Sequence, residues 1–399
     1  MTTDGQRLDG GRSKRAKALI AAALGAIVLT GLLYLRSAQP PATASPAVHV
    51  PVMSGPYNAT YDFISPLVGW AIVVDYNVLG TCRSPDLREC PTGSTFWIFK
   101  TADGARHWQR QYTGAGQGAN GTLHFFDADH GIAEIGPSTY RTVDGGGSWR
   151  LIENPQGAAY PTPMVTFASP ERGWALIQDF VGETSTGTQR LFSTADGGQT
   201  WRLLPGEIPS GADLGPFGAA DRAVFTDSGE GWLGAGFISA PIVYHTTDGG
   251  ASWHPIPVSP ERGSEFFTSV ALIPGGSVLV VATGGSGLVN VYLSSDQGGT
   301  WQTLPQTASD LASVKFVDAN DWWATNDGVI FQTADAGSSW RQVSPLGFPE
   351  YWNFQTAGVI DADHAWWAIT SAALSTNNGL AMTSDGGAHW RMVNPPQPG

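Results

Sequence analysis

The stretch "TADGGQTW", residues 194–201, decides how this chain is read. An Asp beside two glycines suits a loop that holds a metal or a phosphate. The same residues suit a tight turn that a fold needs for its own sake. Repetition chooses between them. The stretch recurs as "TADGARHW" (101–108), "TVDGGGSW" (142–149), "TTDGGASW" (246–253), "SSDQGGTW" (294–301), "TADAGSSW" (333–340) and "TSDGGAHW" (383–390), seven copies in all. Ser or Thr opens every copy, Asp is third and Trp eighth. Gly is fifth in six copies, and Ala105 stands there in the first. Consecutive tryptophans lie 39 to 52 residues apart.

A second element alternates with the first. Before each copy come a short strand, a polar turn and a second strand that often begins "GWA", as in "DFISPLVGWAIVV" from 62 and "FASPERGWALI" from 167. The apolar runs are too short and too closely bounded by glycine for helices. The run before each copy is a third strand, and its Trp opens a fourth. Four-stranded units at this period predict a seven-bladed β-propeller of four-stranded antiparallel blades over residues 57–393, an all-β fold. Each unit buries a face only against its neighbours, so the ring has to close.

Within this reading each Asp holds a turn. The carboxylates of Asp103, Asp144, Asp196, Asp248, Asp296, Asp335 and Asp385 are placed to accept turn amides that the strand ladder leaves unpaired. The rings of Trp108, Trp149, Trp201, Trp253, Trp301, Trp340 and Trp390 are expected to pack into the blades, with each N–H on a turn acceptor. Seven copies suit a scaffold, because a catalytic group is needed once.

The first 36 residues differ from the rest. Basic residues at 7, 12, 14, 15 and 17 precede the uncharged run "ALIAAALGAIVLTGLLYL", Ala18–Leu35. As a helix it spans about 27 Å, near a hydrocarbon core of roughly 30 Å. The expected layout is a cytoplasmic basic tail (1–17), a single transmembrane signal anchor (18–35), a Pro/Ala linker (36–50) and the propeller (51–399) on the extracytoplasmic side. The alternative is secretion after cleavage at "ATA", 42–44. Removing the six basic and two acidic residues of 1–36 leaves 15 basic against 32 acidic residues. Nucleic acid and anionic headgroups are poor partners for such a body. Cys82 and Cys90 are the only cysteines, and outside the cytoplasm they are expected to clip one loop as a disulfide.

The seven copies resemble the repeats of Asp-box, or BNR-repeat, propellers, with the pattern S/T-x-D-x-G-x-T/S-W and departures at Ala105, His107 and His389. That sialidase-like superfamily includes sialidases, xyloglucan hydrolases, sortilin-type receptors and the photosystem II stability/assembly factor propellers. A single seven-bladed domain with "GWA" blades and an N-terminal membrane or export signal looks most like the assembly-factor group. The resemblance implies that the repeated turns lie on the face opposite the ligand-binding mouth. The F/Y-R-I-P motif of sialidases is absent, and a basic patch like that of the assembly factors is not visible in the sequence.

No catalytic, cofactor-binding or metal-binding residue is assigned, and no cofactor is expected. "DADH" at 127–130 and 361–364 reads as a hairpin turn rather than a ligand set. Fourteen of the 16 tryptophans belong to the repeated turns or to second strands, so their abundance is scaffold. Trp97 falls in the third strand of blade 1. Phe348, Tyr351 and Trp352 fall between the sixth copy and blade 7, where an aromatic ligand patch is expected at the mouth. Glu153, Asp179, Glu183, Glu207 and Asp213 are placed in mouth loops without a spacing that selects a pair. The expected function is a monomeric, membrane-anchored module that binds a protein partner or a cell-surface glycan. The alternative is a glycoside hydrolase.

Overall fold

A turn with fixed chemistry should fix where strands reverse, and the computed structural model places a strand on each side of all seven copies. It describes residues 51–53, 55, 57–75, 93–117, 120–155, 164–179, 188–206, 223–235, 240–260, 267–283, 289–305, 313–326, 329–343, 352–371 and 377–398. The compact unit that contains them is His49–Gly399. The tail, the apolar run Ala18–Leu35 and the linker lie outside the described residues, as do Cys82, Cys90, Phe348 and Tyr351.

Blade 1 is built from β1 (Tyr57–Phe63), β2 (Gly69–Asp75), β3 (Gly93–Thr101) and β4 (Gln109–Gln117), antiparallel and hydrogen-bonded in that order. The other six blades repeat this order over residues 121–152, 164–203, 224–257, 267–303, 313–342 and 352–393. The all-β, seven-bladed, four-stranded reading therefore holds. First strands of neighbouring blades approach one another, so they ring the axis, and fourth strands form the outer rim. Side chains alternate along a first strand. In blade 2, Leu123 and Phe125 are buried while Thr122 and His124 are exposed towards the axis. Second strands are covered on both faces by neighbouring blades and read as continuous apolar runs, as in Trp70–Val74.

One set of contacts recurs between blades. Trp70 of blade 1 stacks on Phe125 of blade 2 at 3.6 Å between ring centres and donates its Nε1–H to the Gly145 carbonyl at 2.8 Å. Trp174 of blade 3 does the same with Phe225 at 3.9 Å and Gly249 at 2.9 Å in blade 4. These two second-strand tryptophans thus fasten their blades to the repeated turn of the next. Elsewhere the solution changes: Trp232 stacks on His245 of its own blade at 4.0 Å.

The ring closes without strand exchange, because blade 7 takes its fourth strand from its own residues Arg391–Val393. Trp366 packs against Tyr61 and Phe63 of blade 1. The chain end then braces blade 1: Trp108 Nε1 donates to the Asn394 carbonyl at 3.0 Å, and Arg110 Nη1 to that of Pro398 at 3.1 Å.

Three expectations need correction. The repeated Trp does not open the fourth strand; it ends the turn, and the strand begins one residue later. These seven tryptophans are half-buried, whereas the second-strand tryptophans are fully buried. Of the seven, Trp149 alone donates to its own turn, at the Gly146 carbonyl. Trp201 and Trp390 donate to Glu153 and Val343 of the preceding blade, Trp108 donates to Asn394, and the Nε1 atoms of Trp253, Trp301 and Trp340 have no acceptor among the described residues. The ring sits in the groove between blades, so the nearest carbonyl belongs to the neighbour. Finally, Trp352 is not in a connection. It begins the first strand of blade 7, Trp352–Val359, paired with Ser371, because the β-rich run "WNFQTAGV" extends the ladder back to it.

Candidate functional site

The quoted stretch is a closed hydrogen-bond unit. Thr194 Oγ1 donates to Asp196 Oδ1 at 2.8 Å and accepts the Gly198 N–H at 2.9 Å. Asp196 Oδ1 accepts the amides of Gln199 and Thr200, both at 2.9 Å, and Oδ2 accepts the Thr200 hydroxyl at 2.6 Å. The fourth and fifth residues take positive φ, 69° at Gly197 and 79° at Gly198. Where glycine is missing the backbone still takes this form, at Ala105, Gln297 and Ala336. His107 and His389 replace the seventh-position hydroxyl with a ring nitrogen: each Nδ1 lies 2.6 Å from its Asp Oδ2. Partial burial alone would raise the carboxyls of Asp196 and Asp248. The side-chain and backbone bonds from Thr200 and Thr194, and from Ser252 and Thr246, outweigh it and hold both at about 2. Both carboxylate oxygens are engaged inside the turn.

The first-to-second-strand turns lie at the same end as these units. The Gly145 and Gly197 N–H groups donate to the Asp129 and Glu171 carbonyls, both at 2.8 Å. In "DADH", His130 Nδ1 lies 2.9 Å from Asp127 Oδ2 and His364 Nδ1 lies 2.8 Å from Asp361 Oδ1, so each histidine closes its own turn. Among the described residues no group of three or more His, Cys, Asp or Glu side chains gathers to hold a metal.

The axis carries a feature that sequence reading missed. Asp62, His124 and Lys315 each stand one residue before the end of a first strand, in blades 1, 2 and 6. Equivalent register puts them at one level of the channel. Asp62 Oδ2 accepts the Phe125 N–H at 2.6 Å and lies 3.8 Å from His124 Nδ1. Burial pushes the Asp62 carboxyl up, opposed by His124, by the Phe125 and Phe63 amides and by Lys315. Burial pushes the Lys315 ammonium down, opposed by Asp62. The Lys315 side chain is reachable by solvent yet surrounded by protein, as a channel wall requires. A cavity of about 210 Å³ opens beside His124 between the inner strands of blades 2 and 3. One carboxylate between two basic groups can bind polar ligands, and Glu134, on the wall of the same cavity, accepts the Thr122 hydroxyl at 3.2 Å.

The opposite end, the mouth, is formed by second-to-third-strand and inter-blade connections. Of the loops expected at the mouth, Cys82–Cys90, 205–220 and 344–356, the first lies outside the described residues, as do 207–220 of the second and 344–351 of the third, and Trp352 is a strand residue. At this end Asn58 Nδ2 donates to Asn120 Oδ1 at 2.9 Å, joining blades 1 and 2. Trp97 lies within β3, half-buried, edge-on to Tyr57 at 5.6 Å. Arg150, Arg202, Arg341 and Arg391 begin fourth strands at the rim, away from the axis.

No protein-family model matches the chain. The photosystem II assembly protein Ycf48 of Synechococcus sp. (strain JA-2-3B'a(2-13)) is 28% identical over 284 residues, 61% of this chain and 78% of that protein. A xyloglucanase of Hypocrea jecorina (strain QM6a) is 23% identical over 329 residues, 75% of this chain but 35% of that protein. The solved structure of YCF48 bound to D1 peptide superposes with a TM-score of 0.51 at 16% identity, covering 87% of this chain and 100% of that one. The resemblance read from the repeats stands: the chain is similar to a photosystem II assembly protein and shares the propeller fold of YCF48.

Proposed function

We propose that this chain is a membrane-tethered, extracytoplasmic propeller that recognises a protein segment with its mouth. The observation that carries the reading is the similarity to Ycf48 along most of that protein's length, together with a fold shared with a YCF48 that holds a D1 peptide. The basic flank before Ala18–Leu35 supports a cytoplasmic N-terminus, and the Pro/Ala linker supports a body held off the membrane. The excess of acidic residues disfavours polyanionic partners. Recognition falls to the mouth loops, including the Cys82–Cys90 loop with its disulfide and the Phe348, Tyr351 and Trp352 patch. The propeller acts as a monomer.

A second reading, binding or hydrolysis of a cell-surface glycan, draws support from the similarity to a xyloglucanase.

The test is capture of partners by the full chain from its own membranes, with a glycan array run on the same preparation. A captured protein that is lost when 344–351 is replaced by a Gly/Ser loop supports the proposal. Glycan binding with no protein partner overturns it. The anchor is tested by washing: the protein should stay in membranes under salt. Release of a form beginning near Ser45 would show cleavage instead.

A further inference from the structure

The seven repeated turns are an internal control. What the fold requires appears in all seven copies, so departures that gather in space call for another explanation. They gather at the seam between blades 7 and 1, on the face of the repeated turns. The sixth position of the turn is Arg only in the first copy, Arg106. The seventh is His only in the first and last copies, at His107 and His389, the two turns that flank the seam. The seam holds a cleft of about 330 Å³ whose walls include Arg106, Arg391, His364 and His389.

The chemistry of these four side chains is uniform. Arg391 Nη2 donates to the Gly104 carbonyl at 3.0 Å across the seam, and Arg106 Nη1 to the Asp103 carbonyl at 3.0 Å. Neither guanidinium forms an ion pair with a carboxylate among the described residues. Burial and the facing Arg106 push the Arg391 guanidinium below its ordinary value, partly offset by Asp103. Both imidazoles are anchored through Nδ1, His389 on Asp385 at 2.6 Å and His364 on Asp361 at 2.8 Å. Among the described residues the Nε2 atom of each ring carries no hydrogen bond. The acidic residue on the cleft wall, Asp385, has both oxygens engaged by Thr383 and His389.

We propose that this seam cleft is a binding site for a tetrahedral oxyanion, the phosphate or sulfate ester group of a larger ligand. The two guanidiniums are exposed at the cleft and anchored on the adjacent carbonyls of Asp103 and Gly104, so an anion in the cleft can reach both and offset their repulsion. Donors arriving from blade 1 and from three positions of blade 7 suit a group with three peripheral oxygens better than a planar carboxylate. The net charge of −13 repels extended polyanions, so one ester group on an otherwise neutral ligand fits best. The site is independent of the mouth and of the partner proposed there.

The experiment titrates inorganic phosphate, sulfate and acetate into the full chain in detergent, by calorimetry and by the fluorescence of Trp390 on the cleft wall. Phosphate or sulfate should saturate one site and bind about tenfold tighter than acetate. Whichever binds tighter names the ester. The double variant Arg106→Gly with His389→Thr restores residues found in other copies, and its Thr can keep the bond to Asp385. It should unfold at the same temperature as the parent and lose roughly tenfold or more in affinity. Arg202→Gln, at another blade, should leave the affinity unchanged. No saturation, equal binding of acetate, or unchanged affinity in a folded double variant would each overturn the proposal.

Discussion

The two ends of the propeller obey different rules. At the repeated-turn end the third and fourth strands are always joined by nearly the same length, 102–108 in blade 1, 195–201 in blade 3 and 385–390 in blade 7. At the mouth the connections run from residues 136–137 in blade 2 to 76–92 in blade 1 and 204–223 between blades 3 and 4. A turn that must satisfy its own amides and seat a Trp between blades has one length and one chemistry. A connection with no such duty is free to vary, and variation is where recognition can be placed. The difference teaches which residues to disturb when testing stability and which when testing binding.

The comparison breaks if the turn end is dispensable. Trp174→Ala removes the stack on Phe225 and the bond to Gly249, and should cost about 3–5 kcal/mol in urea unfolding. A loss under about 1 kcal/mol would mean that blades are not fastened this way. Asp196→Ala strands two amides and two hydroxyls, and should cost about 1–3 kcal/mol in the same assay, with less than about 0.5 kcal/mol counting against its role.

Acid sharpens the same point. The folded carboxyls of Asp196 and Asp248 sit at about 2, below the unfolded value near 3.8, so the stability they contribute is complete above pH 4 and is lost as pH falls through about 2. Thermal midpoints should therefore fall between pH 4 and pH 2, and the fall should be shallower in Asp196→Asn. The smallest effect is a gain. Ala336 has φ of 54° in a position where most copies carry glycine, and Ala336→Gly should stabilise by about 0.5 kcal/mol. No change or a loss would mean that the turn tolerates a side chain there without strain.

The architecture was legible because the turn demands particular residues. Asp196, Thr194 and Gly198 each answer a local need, and a local need recurs as a spelled pattern. Contacts made by ring closure leave no such trace. The Nε1 of Trp201 finds its acceptor at Glu153, in the blade before it, and nothing within residues 194–201 announces that. Asp62, His124 and Lys315 meet because three first strands share one register, although they are far apart in the chain. Arg106 and Arg391 look like ordinary surface residues until blade 7 docks on blade 1. Trp352 was misplaced because strand ends depend on pairing with Ser371, which the segment itself does not encode.

The central claim is that the turn end holds the fold while the mouth recognises a protein. Crosslinking of the full chain in its own membranes, with the crosslinked residues mapped by mass spectrometry, tests it most directly. The account predicts crosslinks to one protein partner from residues in 76–92, 204–223 and 344–351. Crosslinks confined to the repeated turns, such as 194–201, would contradict it.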